Sequence, residues 1–331
     1  MHLASVLFLF LGGLFRFTHA AYIHELRMPN VSADHDDAYL CYAERLKRPE
    51  QYLTHFKPIY TEVTHHMLLF SCEQPGSSEE VWECAMSQPT CVGKQKIIFS
   101  WAMKAKEFSI PEDTSFPLIK SELPYLILQV HYKDASGFRE LPNQADNSGW
   151  QLRMQDEPTD NLAGIYVFAS DEDVPPMKTT DIRISCRYTG EIDLHPIAFR
   201  VHAHNHGVLN DAYVNHDGQK YLIGAKSPQE EQTYYPVKNK TLVVKPLDML
   251  EARCKMVNNE NRTIHMGHKR TDEMCNFYMM YTIPYEEGEH IFDAENAGCP
   301  MEQVDPTSTE DDVDQFEESI YESPEFQSQY D

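Results

Sequence analysis

Sixteen histidines stand among the 331 residues. His2 and His19 belong to an apolar leader, and three groups of the others could do chemistry. The first is Thr64-His65-His66-Met67. Neighbours on a regular strand point to opposite faces, so two adjacent ligands for one metal need a strand end or a bulge. Without one, the pair reads as one surface and one buried imidazole. The second is Gln129-Val130-His131-Tyr132, where His131 shares a strand face with Tyr125, Ile127 and Gln129 and fits a core histidine as well as a ligand. The third is Arg200-Val201-His202-Ala203-His204. Period two sets Arg200, His202 and His204 on one face, a ready chelate for zinc or copper. His206 continues the alternation, but Gly207 follows. Further on, Met274, Asn276 and Tyr278 share a face while Cys275 points away. If that face lies opposite His202 and His204, the site gains a thioether, a soft ligand that favours Cu(I). Met274 alone would also suit core filling. Two imidazoles with a thioether point to copper that changes oxidation state.

These residues need rigid strands beneath them, and the sequence is mostly strand. Tyr125–Tyr132 is an apolar β-forming run, while 197–204 and 274–281 alternate. Short segments of this kind, broken by Pro, Gly and Asn/Asp, indicate all-β, two-sandwich architecture. No long 3.6-residue periodicity, GxGxxG, P-loop, GxSxG or 20–50-residue repeat is found. Eight cysteines fall as Cys41, Cys72, Cys84 and Cys91, then Cys186, Cys254, Cys275 and Cys299. That split predicts two separately stapled antiparallel units with a boundary near Gln155–Asp160. The expected parts are a signal peptide at 1–20, an N-terminal domain at 21–157, a C-terminal domain at 158–300 and a disordered acidic tail at 301–331. Leu7–Phe15 followed by Thr18-His19-Ala20 has the pattern of a cleaved secretory leader, too short for a comfortable membrane span. The paired cysteines and the sequons at Asn30, Asn239 and Asn261 fit export through the secretory pathway, to the granule lumen or beyond. Net charge is -24, and eleven of the carboxylates lie in 301–331, which has no Lys or Arg; the rest of the chain carries -13. Such a surface argues against nucleic acid as a partner.

Six segments, in order, closely resemble the peptidylglycine α-hydroxylating monooxygenases. They are Leu26-Arg27-Met28-Pro29, Tyr39-Leu40-Cys41, His65-His66-Met67-Leu68-Leu69-Phe70-Ser71-Cys72, Leu128-Gln129-Val130-His131-Tyr132, Arg200-Val201-His202-Ala203-His204 and Asp272-Glu273-Met274-Cys275-Asn276-Phe277-Tyr278. The resemblance spans about residues 24–300. It implies two β-sandwich domains and two copper ions. An electron-transfer copper would be held by His65, His66 and His131. A copper meeting molecular oxygen and substrate would be held by His202, His204 and Met274, with a solvent-filled cleft between the two. Ascorbate would be the reductant, and the α-carbon of a C-terminal glycine would be hydroxylated as the first step of peptide amidation. Arg200, Asn276 and Tyr278 would bind the carboxylate of glycine-extended peptides, a role that guanidinium chemistry supports. The resemblance also implies the disulfides Cys41–Cys84, Cys72–Cys91, Cys186–Cys299 and Cys254–Cys275.

There are departures from the family pattern. A fifth disulfide found in vertebrate members has neither partner here, Asn147 standing near one position. Where many members have His-x-His-His, this chain has His202-Ala203-His204-Asn205-His206, and His206 is expected to be a bystander. A lyase domain is not expected after Cys299, so a separate lyase is expected downstream, with no stable membrane insertion and a monomeric chain. Competing expectations are a dopamine- or tyramine-type β-monooxygenase, a secreted copper-binding protein without turnover, and a zinc hydrolase. The first would normally carry an extra N-terminal domain. The last would want a nearby acidic base and no Met ligand.

Overall fold

The computed structural model describes residues 21–84, 87–103, 105, 108–293 and 298–299. The expected leader (1–20) and acidic tail (301–331) lie outside the described residues. The first half contributes β1 (Tyr22–Arg27), β2 (Ala38–Arg45), β3 (Glu50–Ile59), β4 (Thr64–Pro75), β5 (Val81–Glu83), β6 (Cys91–Ala102), β7 (Thr114–Ile119), β8 (Tyr125–Tyr132) and β9 (Gly149–Gln155). The second contributes β10 (Asn161–Ser170), β11 (Lys178–Arg187), β12 (His195–His202), β13 (Gly207–His216), β14 (Gln219–Lys226), β15 (Tyr235–Pro236), β16 (Met249–Asn258) and β17 (Cys275–Pro284). The polar segment 156–160 connects β9 to β10.

Three sheets result. A five-stranded sheet, β5-β2-β8-β4-β6, belongs to the first half, and a four-stranded sheet, β11-β16-β13-β14, to the second. An eight-stranded sheet, β1-β9-β3-β7-β10-β17-β12-β15, runs through both and packs against each of the others. The reason β8 reads as a nearly unbroken apolar run is its central place between β2 and β4, buried on both faces. β17 is central in the same way, between β10 and β12. Aromatic rings fill the space between sheets. Phe56 stacks on Phe99 with centroids 4.4 Å apart in the first sandwich, and Phe199 on Phe277 at 5.5 Å in the second. Each such buried side chain contributes on the order of 1.5–3 kcal/mol.

The two halves are joined more intimately than a linker requires. β7 and β10 pair in parallel, Thr114 opposite Asn161 and Ser115 opposite Leu162. Ala163, Ile165, Ala198, Tyr234, Tyr278 and Met280 of the second half belong to the same buried cluster as the first half's core. Tyr234 stacks on Phe99 at 5.0 Å, and its hydroxyl lies 3.2 Å from that of Ser100. Sequence patterning shows which residues are buried but not that two sandwiches share one sheet. The four disulfides pair Cys41 with Cys84, Cys72 with Cys91, Cys186 with Cys299 and Cys254 with Cys275, each within one half. Among the described residues no helix is long and apolar enough to cross a membrane.

Candidate metal centres

The first cluster forms where β4 begins. β4 pairs with β8 as Thr64 opposite Tyr132 and then His66 opposite His131, so His65 is the extra residue of a bulge. That bulge turns two adjacent imidazoles towards one point, which a regular strand could not do. The Nδ1 atoms of His65, His66 and His131 lie 3.3, 3.2 and 3.4 Å from one another. A triangle with those sides has its centre about 1.9 Å from each corner, close to the roughly 2.0 Å of a metal–imidazole bond. The donor set therefore fits a first-row metal ion.

Electrostatics keep these rings ready for one. Burial, helped by the Lys133 charge and by His204, pushes His65 down to about 4. Burial and the neighbouring imidazoles hold His66 well below its ordinary value and His131 down to about 2. Neutral imidazole is the ligating form. Behind His131, the Asp37 carboxylate stands 3.4 Å from Nε2 and the Tyr39 ring stacks at 4.1 Å. A carboxylate on the outer nitrogen favours Nε2–H and leaves the Nδ1 lone pair facing the cluster. Asp37 also accepts the Arg270 backbone N–H at 3.2 Å, so one carboxylate touches both halves.

The second cluster sits at two strand ends. β12 stops at His202 and β17 starts at Cys275, so His204 and Met274 lie just outside regular strand. Register pairs Arg200 with Tyr278 and His202 with Asn276, and its continuation sets His204 against Met274. The donors have fixed tautomers: His202 Nδ1 faces Gln232 Oε1 at 2.6 Å, and His204 Nδ1 faces the Asp272 carbonyl at 2.8 Å. Each Nδ1–H donates outward and Nε2 is left free to ligate. Glu273, fully buried, organises the loop. Its carboxylate accepts the backbone N–H of His204, of Met274 at 2.8 Å and of His206 at 2.8 Å. The turn from Ala203 to Gly207 is tight enough that a Cβ at 207 would stand 2.4 Å from that of Ala203. His206 is taken up elsewhere, its ring nitrogens 3.3 Å from Glu273 and 3.2 Å from Glu260.

The clusters are neighbours. The rings of His66 and His202 stand 6.1 Å apart, where the expectation was a solvent-filled cleft between the two centres. Two cavities flank the pair, both lined by His66, His202 and His268. One, of about 550 Å3, also meets Met274, Arg200, Asn276 and Tyr278. There the Arg200 guanidinium is buried, with Nε donating to the Gln232 carbonyl at 2.9 Å and the carbon of the fork 5.3 Å from the Tyr278 ring centre. Asn276 Nδ2 donates to the Tyr278 hydroxyl at 3.3 Å, and burial raises the Tyr278 pKa, so that hydroxyl keeps its proton. The other cavity, of about 400 Å3, is lined in addition by His65, His131 and His204.

His65, His66 and His131 thus form one cluster, His202, His204 and Met274 come together at neighbouring strand ends, His206 stands apart, and Arg200, Asn276 and Tyr278 share a cavity with Met274. Asp37, Gln232 and Glu273 escaped the sequence reading. Glu273 was adjacent to Met274 in a recognised segment; Gln232 carries no local signal. Asn30, Asn239 and Asn261 are all exposed.

A continuous two-sandwich scaffold bearing a three-imidazole cluster beside a His/His/Met cluster defines a class of metalloprotein, and the comparisons agree. Residues 24–139 match the N-terminal domain of the copper type II ascorbate-dependent monooxygenases and residues 161–302 match their C-terminal domain; the chain belongs to that copper- and ascorbate-dependent family. Within it, the chain is 37% identical over 273 residues to the peptidyl-glycine alpha-amidating monooxygenase of Mus musculus, covering 80% of this chain and 27% of that protein. It is 36% identical over 267 residues to peptidyl-glycine alpha-amidating monooxygenase A of Xenopus laevis (78% and 28%). A more distant relative is dopamine beta-hydroxylase of Rattus norvegicus, 25% identical over 289 residues (78% and 45%). The chain thus spans about a quarter of the length of the amidating relatives. The four disulfides belong to an oxidising compartment.

Proposed function

We propose that this chain hydroxylates the α-carbon of C-terminal glycine in peptides, using copper, ascorbate and molecular oxygen. One observation carries the reading: a buried arginine, an amide and a protonated phenol line the same cavity as Met274 and His202. A peptide ending in glycine presents a carboxylate with its α-carbon one bond away. Carboxylate held by Arg200, Asn276 and Tyr278 therefore brings that carbon towards the His/Met cluster. An amine substrate offers an ammonium, which Arg200 repels.

Two coppers are assigned, one to His65, His66 and His131, the other to His202, His204 and Met274. The copper ions supply one-electron redox chemistry and a place for oxygen to react. The residues do the rest. His65, His66 and His131 stay neutral through burial. Gln232 and the Asp272 carbonyl fix two further imidazoles, and Glu273 fixes the loop that carries Met274. Arg200 is anchored through Nε to the Gln232 carbonyl and by a side-chain hydrogen bond to Tyr278, which sets its guanidinium beside that hydroxyl to meet a carboxylate. Residues 21–157 and 158–300 are assigned as the two domains. The three exposed sequons are assigned as glycosylation sites in the secretory pathway, in a granule lumen or outside the cell, with the chain monomeric and soluble. The α-hydroxyglycine peptide passes to a separate lyase activity for conversion to the amide.

The reading is tested by oxygen consumption. Copper-loaded protein with ascorbate should take up oxygen when a glycine-extended peptide is added and not when its amidated counterpart is. Equal uptake with both peptides would remove the carboxylate from the argument.

A further inference from the structure

The reaction proposed above consumes two organic anions, a peptide carboxylate and a reductant, and the structure offers two cavities beside the paired clusters. The larger has Arg200 as its cation. We infer that the smaller, of about 400 Å3, is the docking site of the reductant, the ascorbate monoanion, with Lys133 and Arg270 as its cations.

Three observations support this. First, among the described residues neither the Lys133 amine nor the Arg270 guanidinium has a carboxylate within ion-pair distance, in a chain of net charge -24. Long-range repulsion of anions by such a chain has to be offset locally. Second, the cations stand beside the three-imidazole cluster. Lys133 follows His131 by two residues, and its charge is felt at both His65 and His131. Arg270 is tied by its backbone N–H to Asp37, whose other oxygen faces His131 Nε2. Third, two of the three acids that line the cavity have other engagements. Asp37 is occupied as described, Glu230 is paired with Lys226 at 2.5 Å, and Glu231 lies beside Glu230 on that same stretch of chain. The volume falls within the roughly 300–1,000 Å3 typical of small-molecule sites. An anion there lies against His65 and His131, whereas Arg200, Asn276 and Tyr278 line the other cavity.

The electron count closes simply. Each ascorbate monoanion gives up one electron and one proton and leaves as the ascorbyl radical anion. The electron reduces one Cu(II) to Cu(I), and the proton goes to solvent.

This inference rests on the hydroxylase reading for its choice of reductant, but its test does not need the peptide. Copper-loaded full-length protein is mixed without oxygen with either ascorbate or neutral hydroquinone, and loss of the Cu(II) electron paramagnetic resonance signal is timed. In the double variant Lys133→Gln, Arg270→Gln the second-order rate with ascorbate should fall roughly tenfold at low salt, as removal of a focusing charge predicts. The loss should shrink as salt screens it. The hydroquinone rate should stay unchanged, and in turnover KM should rise for ascorbate and not for the peptide. An unchanged ascorbate rate, or equal slowing with both reductants, overturns the site. Selective slowing upholds it even if the wild type leaves a glycine-extended peptide unmodified, a result that would count against the hydroxylase alone.

Discussion

Glu273→Gln probes the geometry of the second cluster without removing any ligand. The carboxylate uses one oxygen for the N–H groups of His204 and Met274 and the other for that of His206. An amide has one acceptor. In its better orientation it keeps the first two bonds, uncharged, and turns its NH2 group against the His206 N–H. One hydrogen bond to a charged group is lost, about 1.5–3 kcal/mol, and a buried donor is left opposed to another donor. If that loss falls on the loop's bound arrangement, copper affinity at the second cluster drops by roughly 10- to 100-fold. The His65, His66 and His131 centre does not touch Glu273 and should keep its copper. Alanine is the wrong choice, because three orphaned N–H groups would threaten folding. The assay is a copper titration followed by X-ray absorption of the Cu(I) protein. Wild-type protein should bind two coppers with a sulfur scatterer, while the variant at limiting copper should bind one tightly, with the sulfur signal gone. Two tightly held coppers with the sulfur signal intact in Glu273→Gln would refute the claim that this carboxylate holds Met274 and His204 in register.

Arg200→Gln should raise KM for glycine-extended peptides by about 10- to 100-fold, the worth of a charged hydrogen bond, in steady-state assays; an unchanged KM would take Arg200 out of substrate binding. Asp37 has φ 58°, a conformation that asparagine tolerates, so Asp37→Asn spares the backbone. It should weaken copper at the three-imidazole centre roughly 10- to 100-fold in a competition titration, with the second copper unaffected. Because burial lowers the folded-state pKa of His65 to about 4, the unfolded chain takes up protons first as pH falls below 6.5. His66, His131 and His202 are lowered too. The copper-free protein should therefore be most stable above pH 6.5 and lose stability steadily towards about pH 4. Thermal melts across that range check this, and a flat Tm would show that the rings protonate freely in the folded state.

Much of this site is written in residue types at strand spacing. Arg200, His202, Asn276 and Tyr278 alternate on β12 and β17, and the observed register sets them against each other in pairs. The bulge at His65 was legible only as a condition: two adjacent histidines can serve one metal only if the strand breaks its period. Whether it does depends on β8, which lies 59 or more residues further along the chain. Glu273, Gln232 and Asp37 were harder. Each acts through backbone groups or ring nitrogens of residues distant in sequence, and no periodicity encodes such contacts. The shared eight-stranded sheet was invisible for a related reason. The parallel β7–β10 pairing involves two residue pairs, too short to leave a pattern, and the residues that cement it read as ordinary core. The 6.1 Å between the His66 and His202 rings is likewise a product of packing between the halves that strand spacing does not encode.

The most direct test of the central claim is the mass of a product. A short glycine-extended peptide is incubated with purified protein, copper, ascorbate and oxygen, beside the same peptide in its amidated form. The account predicts that the glycine-extended peptide gains one oxygen atom, on the α-carbon of its terminal glycine, and that the amidated peptide is untouched. A copper-replete protein that leaves both peptides unchanged would contradict it.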